Sequence, residues 1–314
     1  MRLIFAGTPE PAVVALRKLL ASEHEVVAVL TRPDAKKGRG RTLHPSPVAE
    51  LAAEHGIEVL KPTSLKADTA DGQAIRTRLH ELQPDCIPVV AYGNLVTKDL
   101  LDIAPHGWVN LHFSLLPAWR GAAPVQAAIH AGDDVTGAST FRIEEGLDTG
   151  PVFGTVTEAI KPSDTSEDLL TRLSDVGGDL LVATMDGLAA GQLSAVPQAG
   201  EASYAAKITK DDAQIDWHTP DFAIDRMIRA FTPAPGPWTA LEGQRYKVGT
   251  VLRTEEDTLR PGQLQVSKTE VRVGTGTNDL VIESIQPPGK KMMRAADWAR
   301  GAQLGEDTVF THES

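Results

Sequence analysis

The chain has 314 residues, a hydrophobic fraction of 41%, one cysteine and a formal net charge of −11. That length implies two domains, since a single hydrophobic core stops growing near this size. The acidity speaks against nucleic-acid binding through the overall field, and the lone Cys86 excludes an internal disulfide. No run of about 18 apolar residues is present, so no transmembrane helix is expected. Strand character begins at residue 2 with no signal-peptide pattern, and the expected location is cytoplasmic.

In chain order, the spacing predicts a strand over 2–6, a helix over 9–20 with proline near its start, and an apolar strand over 24–31. Helices are predicted over 47–55, 70–82 and 121–131, and strands over 87–91, 108–113, 136–143 and 152–160. A long helix follows over 164–188. Strands alternating with helices imply βαβ units, hence a doubly wound, mainly parallel Rossmann-like α/β sheet. Residues 190–206, rich in Gly, Ala, Gln and Ser, read as a linker. Short strands over 235–238, 244–254, 261–267, 271–274 and 280–285, then a helix over 295–302, suggest a small OB-like β-barrel. The expected division is a first domain over 1–189, the linker over 190–206 and a C-terminal domain over 207–314.

Charge is unevenly spread. Residues 207–314 hold 14 Lys/Arg and 16 Asp/Glu, leaving 17 and 26 for residues 1–206, so the first part carries nearly all the net acidity. Against that background the loop Arg32-Pro-Asp-Ala-Lys36-Lys37-Gly-Arg39-Gly-Arg41 has five basic residues and one acid. Such a run is ordinarily a solvated loop; its other reading is contact with an RNA backbone. A second basic cluster is Lys290-Lys291-Met-Met-Arg294, with Lys247.

The densest chemistry lies between Trp108 and Gly150. Asn110 and His112 are two apart on a strand and so project from one face. Ser114-Leu115-Leu116-Pro117 follows, and Asp148 sits in Gly146-Leu-Asp148-Thr-Gly150. Singly, a strand histidine reads as a satisfied core residue and an asparagine as a turn former. Together, an amide, an imidazole and a carboxylate can move protons and stabilise an oxyanion. Gly7-Thr8-Pro9 takes the place of a nucleotide-binding turn but lacks G-x-G-x-x-G, which speaks against a nicotinamide enzyme. The scattered histidines and single cysteine give no metal signature.

The order Asn-x-His, Ser-Leu-Leu-Pro-x-x-Arg-Gly and Gly-Leu-Asp-Thr-Gly resembles the formyltransferase family that uses 10-formyltetrahydrofolate. The likeness extends from Phe5-Ala-Gly-Thr-Pro9 through Val89-Val-Ala-Tyr-Gly93 and Gly121-Ala-Ala-Pro-Val-Gln126 to Gln286-Pro-Pro-Gly-Lys-Lys291, nearly the full length. Phe113 departs from it, standing where many members carry glycine. The whole chain is most similar to members that formylate methionyl-tRNA for translation initiation.

The resemblance implies formyl transfer from 10-formyltetrahydrofolate to the amine of methionyl-initiator tRNA, by a monomer without metal or membrane attachment. It implies Asn110, His112 and Asp148 as catalytic, and Ser114, Leu115, Leu116 and Pro117 with Val90 and Tyr92 as the folate-binding walls. It also implies tRNA contacts at Lys36, Lys37, Arg39 and Arg41, and at Lys290 and Lys291 of an OB-like tRNA-binding domain. Arg120 is open between a carboxylate anchor and a structural ion pair. Two alternatives stand beside this reading. One is a related enzyme whose acceptor is an amino-sugar nucleotide or water. The other is a non-catalytic RNA-binding module, which retention of Asn110, His112 and Asp148 disfavours.

Overall fold

Strand and helix signals alternate through the first half of the chain, and the computed structural model folds them as a doubly wound sheet. It describes residues 1–37, 42–302, 304–305 and 307–312. The chain divides into two units. The first comprises Met1–Pro124, Val135–Ala159 and Leu170–Ala205, and the second Val125–Asp134, Ile160–Leu169 and Ala206–Ser314.

The elements of the first half are β1 (Arg2–Gly7), α1 (Glu10–Leu20), β2 (Glu25–Leu30), β3 (Ala35–Lys37), β4 (Thr42–His44), α2 (Pro47–Glu54), β5 (Glu58–Leu60), α3 (Ala70–Leu82), β6 (Ile87–Val90), β7 (Trp108–His112), β8 (Arg120–Gly121), α4 (Pro124–Ala131), β9 (Val135–Arg142), β10 (Val152–Ala159), α5 (Ser166–Ala189) and β11 (Tyr204–Ala205). Seven strands form one sheet in the order β10-β9-β7-β6-β1-β2-β5. The strands from β7 to β5 are parallel, and β9 and β10 add an antiparallel edge.

Local signals explain the element starts. Ser46 accepts from the Ala49 N–H at 3.1 Å and Thr69 from the Gly72 N–H at 3.0 Å, each removing an orphan donor of a first turn. Gly7 ends β1 where a Cβ would lie 2.7 Å from the Phe5 ring and 3.0 Å from the Val90 carbonyl, so the turn into α1 is closed by packing. One face of the sheet buries Ile4, Ala6, Leu30, Ile87 and Trp108 among Ile75, Leu79 and Leu100. The indole of Trp108 donates to the Leu100 carbonyl at 2.7 Å, which satisfies the polar atom that its burial encloses.

In the second unit come α6 (Asp221–Phe231), β12 (Trp238–Leu241), β13 (Gln244–Val248), β14 (Val251–Arg253), β15 (Leu264–Val266), β16 (Val271–Val273), β17 (Leu280–Ile282), β18 (Ser284–Gln286), β19 (Met293–Arg294) and α7 (Ala295–Gly301). The strands make two four-stranded antiparallel sheets, β12-β13-β18-β19 and β14-β17-β16-β15. Trp217 stacks on Phe310 at 5.8 Å, and Phe310 on Trp298 at 6.2 Å, in their shared core.

Several boundaries differ from expectation. The predicted strands over 244–254 and 280–285 each break into two, because the chain passes from one sheet to the other at Gly249–Thr250 and at Glu283. The helix predicted over 121–131 starts at Pro124, since Gly121 is held in β8 by pairing with β11. α6 has no counterpart among the predicted elements. No helix among the described residues is long and apolar enough to cross a membrane.

Candidate active site

β7 runs between β6 and β9, with Asn110 opposite Val89 on one side and Phe141 on the other, and His112 opposite Ser139. Both residues sit at the carboxyl end of a parallel strand, the usual place of a site in a doubly wound sheet. His112 is buried, and the ring of Phe141 meets its imidazole edge-on at 6.3 Å. Asn110 is half-buried, and its amide makes no hydrogen bond among the described residues. That amide can both donate and accept a hydrogen bond.

The imidazole stands between two acceptors. Its Nε2 lies 2.9 Å from the Trp119 carbonyl, to which it donates, and its Nδ1 lies 3.7 Å from Asp148 Oδ2. The contact with the carbonyl fixes the ring's orientation and leaves Nδ1 facing the carboxylate. The same Asp148 oxygen accepts the Gly121 N–H at 2.7 Å. Trp119 and Asp148 both have left-handed backbone, φ 56° and 51°, which side-chain-bearing residues adopt sparingly.

The loop after β7 is built on serine hydroxyls. Ser114 is fully buried and donates to the Ala118 carbonyl at 2.5 Å. Ser139 donates to the Ser114 carbonyl at 2.7 Å and accepts from the Leu116 N–H at 3.2 Å. The Leu116–Pro117 peptide is cis, and Leu115, Leu116 and Pro117 are half-buried. The Ser114 hydroxyl therefore shapes the loop, and the three residues after it present the loop's partly open apolar surface.

Val90 and Tyr92 are buried, Tyr92 among Ile4, Ala6 and Trp108. The Tyr92 hydroxyl accepts from Asn94 Nδ2 at 3.1 Å, and burial pushes its pKa up to about 12. What these two positions can offer a ligand is the backbone edge at the end of β6.

Arg120 is neither free nor, among the described residues, ion-paired with a carboxylate. Its guanidinium grips the Gln198 carbonyl oxygen, Oε1, at 2.6 and 3.1 Å, and Gln198 Nε2 donates to the carbonyls of Asp148 and Gly150, each at 2.8 Å. Residues 196–205, read from sequence as part of a linker, lie along this loop. Val196 bridges Val152, and β11 pairs with β8. Gln198 and Ser203 escape sequence reasoning because neither stands in a motif, and Trp119, an unspecified position of Ser-Leu-Leu-Pro-x-x-Arg-Gly, escapes it because its contact with His112 is made by the backbone carbonyl.

Of the basic positions, Lys36 is exposed on the β3–β4 hairpin, which follows β2 and so leaves the sheet at the same edge as His112. Lys37 is in the same strand; its side chain, Arg39 and Arg41 lie outside the described residues. Lys290 and Lys291 are exposed in the second unit. Next to them in sequence, Pro287, Pro288 and Gly289 line a cleft of about 330 Å³ with Lys210, Arg245 and Lys247, and among the described residues no acidic one lines it. Arg245 covers the Trp238 ring at 3.9 Å. Among the described residues no group of three or more His, Cys, Asp or Glu is placed to hold a metal ion.

Comparison with known proteins gives the site a context. The formyl transferase family model matches residues 1–185, and the formyl transferase C-terminal domain matches residues 207–303. The methionyl-tRNA formyltransferase of Corynebacterium glutamicum is 67% identical over 99% of this chain and 100% of its own. Among solved structures, the sugar 3N-formyl transferase WlaRD superposes with a TM-score of 0.68 at 17% identity, over 93% of this chain and 99% of that one. HypX from Aquifex aeolicus, solved with tetrahydrofolic acid, gives a TM-score of 0.65 at 17% identity over 95% of this chain. The chain spans about half of HypX, 47% of its length.

Proposed function

The chain belongs to the formyl transferase family, and from that premise we propose that it moves a formyl group from 10-formyltetrahydrofolate to the α-amine of methionine on initiator tRNA. The observation that carries the reading is the Asn110 amide, without a hydrogen-bond partner among the described residues, on the same strand face as His112 with its neighbour Asp148, in a chain 67% identical to a methionyl-tRNA formyltransferase over 99% of its length. The C. glutamicum relative is named for that acceptor, and HypX was solved with a folate.

The chemistry asks for what these residues offer. As the amine adds to the formyl carbon, negative charge gathers on the formyl oxygen; the adduct then collapses with cleavage of the bond to N10, which gains a proton as the amine loses one. The Asn110 amide donates a hydrogen bond to it, and a cationic His112 adds a second favourable charge. Asp148 balances that cation and fixes the ring together with the Trp119 carbonyl. No covalent nucleophile is required. The folate lies against the Leu115–Pro117 loop and the end of β6 at Val90 and Tyr92, with Ser114 holding the loop.

Residues 1–189 form the catalytic domain in this reading, and residues 207–314 the tRNA-binding domain. The acceptor is far larger than the pocket, so basic surface must position it. Lys36 and Lys37 lie on the β3–β4 hairpin at the carboxyl end of the sheet, Arg39 and Arg41 follow them in the sequence, and Lys290 and Lys291 stand next in sequence to the residues of the acid-free cleft. The chain acts as a monomer in the cytoplasm.

The test is formyl transfer from 10-formyltetrahydrofolate to methionyl-tRNA, run beside free methionine, an amino-sugar nucleotide and water alone. Rapid formylation of methionyl-tRNA with little on the others is expected. Preferential use of the sugar nucleotide, or release of formate to water, would move the chain to another acceptor class within the family.

A further inference from the structure

Both neighbours of His112 are clamped from one segment of chain. Trp119, whose carbonyl receives the imidazole, gives its N–H to Ser203 Oγ at 2.9 Å. Asp148, whose carboxylate faces the other ring nitrogen, gives its carbonyl to Gln198 Nε2 at 2.8 Å. Both clamped residues have left-handed backbone, φ 56° and 51°. Such conformations persist only where the surroundings over-determine them, and the bonds from Ser203 and Gln198 fall on those two residues.

The segment itself is fastened along its length. β11 lies parallel to β8, and the Arg120 N–H reaches the Ser203 carbonyl at 2.9 Å and the Ala122 N–H the Ala205 carbonyl at 2.8 Å. At Gly121, φ 120°, a Cβ would stand 2.5 Å from the Ala205 carbonyl oxygen, so this approach needs glycine. The Gly121 N–H is in turn the donor that fixes the Asp148 carboxylate at 2.7 Å. Gln198 uses both amide hydrogens and its carbonyl oxygen at once, joining Arg120 to the carbonyls of Asp148 and Gly150.

We propose that Gln198 and Ser203 are positioning residues for the formyl transfer: they set the Asp148 carboxylate and the Trp119 carbonyl, and through these the orientation of the His112 ring. Neither residue touches the reacting atoms. The inference rests on the catalytic reading of His112 given above. Its energetic logic is that a displacement of about 1 Å in a positioned group can cost on the order of a hundredfold in rate while leaving ligand binding largely intact.

The test compares Gln198→Ala, Ser203→Ala and Ser203→Thr in the full-length chain, with melting temperature and folate binding measured alongside turnover. Gln198→Ala and Ser203→Ala are expected to lower kcat by roughly 10- to 100-fold with little change in KM. Ser203→Thr keeps the hydroxyl and is expected to recover most of the rate. A second readout does not need turnover: in ¹⁵N-histidine spectra, assigned with His112→Ala, the His112 Nε2–H should be long-lived in the parent chain and shifted or fast-exchanging in the two alanine variants. Unchanged kcat and an unchanged His112 signal would overturn the proposal, as would a Thr variant as slow as the Ala one. A parent chain that fails to formylate methionyl-tRNA overturns the functional reading instead, and the spectra then decide the positioning separately.

Discussion

The Nε2 of His112 lies 2.9 Å from the backbone carbonyl of Trp119, seven residues further along. A carbonyl can only accept, so this contact dedicates one ring proton to the protein and turns Nδ1 toward Asp148. The two contacts hold the His112 ring in one orientation on the same strand face as Asn110.

Asn110→Ala removes the only oxyanion donor proposed on the amide side. Turnover is expected to fall by roughly 10²- to 10³-fold, the loss typical for a single such donor, with folate affinity retained. Asp148→Asn keeps the side-chain shape and removes the charge; a fall of roughly 10²-fold is expected. Stopped-flow or radiolabelled formyl transfer on the folded variants checks both. Turnover near that of the parent in either would withdraw that residue from the chemistry.

Cys86 is fully buried, and burial pushes its pKa up to about 12. A thiol so placed is neither exposed nor ionised near neutrality. A colorimetric thiol reagent at about pH 8 is expected to label the native chain slowly and to release one equivalent once the chain is unfolded in denaturant. Fast stoichiometric labelling without loss of structure would contradict the packing of β6 against β1.

Burial, reinforced by the nearby amino group of Met1, holds the His24 imidazole below its ordinary value of 6.5, although Asp186 at 3.2 Å opposes the shift. The unfolded chain then binds more protons than the folded one just below that value. This contribution to stability is complete above about pH 6.5 and declines as the pH falls through the lower folded value. The melting temperature of the parent chain is expected to drop between about pH 7 and pH 5.5, and His24→Gln should flatten that slope. Equal slopes for the two chains would show that other groups set it.

The fold is legible where periodicity is strong. β1, α1, β2 and β7 lie within a residue or two of their predicted bounds because each is a run of one hydrophobic period. α6 carries Ile224, Met227, Ile228 and Phe231 at helical spacing, yet it lies between Pro220 and Pro233 in a turn-rich stretch that masks it. The break between β13 and β14 at Gly249 cannot be read locally, since a Cβ there would lie 2.0 Å from the hydroxyl of Ser284, far along the chain. The candidate site divides in the same way. Asn110, His112 and Asp148 stand in short motifs that the sequence displays. Trp119 acts through its backbone, while Gln198 and Ser203 reach partners 50 and 84 residues away, a relationship no spacing in the sequence encodes.

Lys290 and Lys291 are exposed and stand next in sequence to the acid-free cleft lined by Lys210, Arg245 and Lys247. If they neutralise tRNA phosphates, replacing both by Ala should weaken tRNA binding uniformly and lower the slope of log affinity against log salt by about one for each phosphate no longer neutralised. Folate affinity should be unaffected. A filter-binding salt titration reads the slope and the affinity together, and an unaltered slope would make these lysines ordinary solvated surface.

The most direct measurement is single-turnover formylation of methionyl-tRNA with saturating enzyme and 10-formyltetrahydrofolate, comparing the parent chain with His112→Ala and identifying the product as N-formylmethionine after release from the tRNA. The parent is expected to give one formyl group per tRNA, and His112→Ala to be slower by roughly 10²-fold or more with its folate binding preserved. An equal single-turnover rate for the two proteins, or no N-formylmethionine from the parent, would contradict formyl transfer at His112.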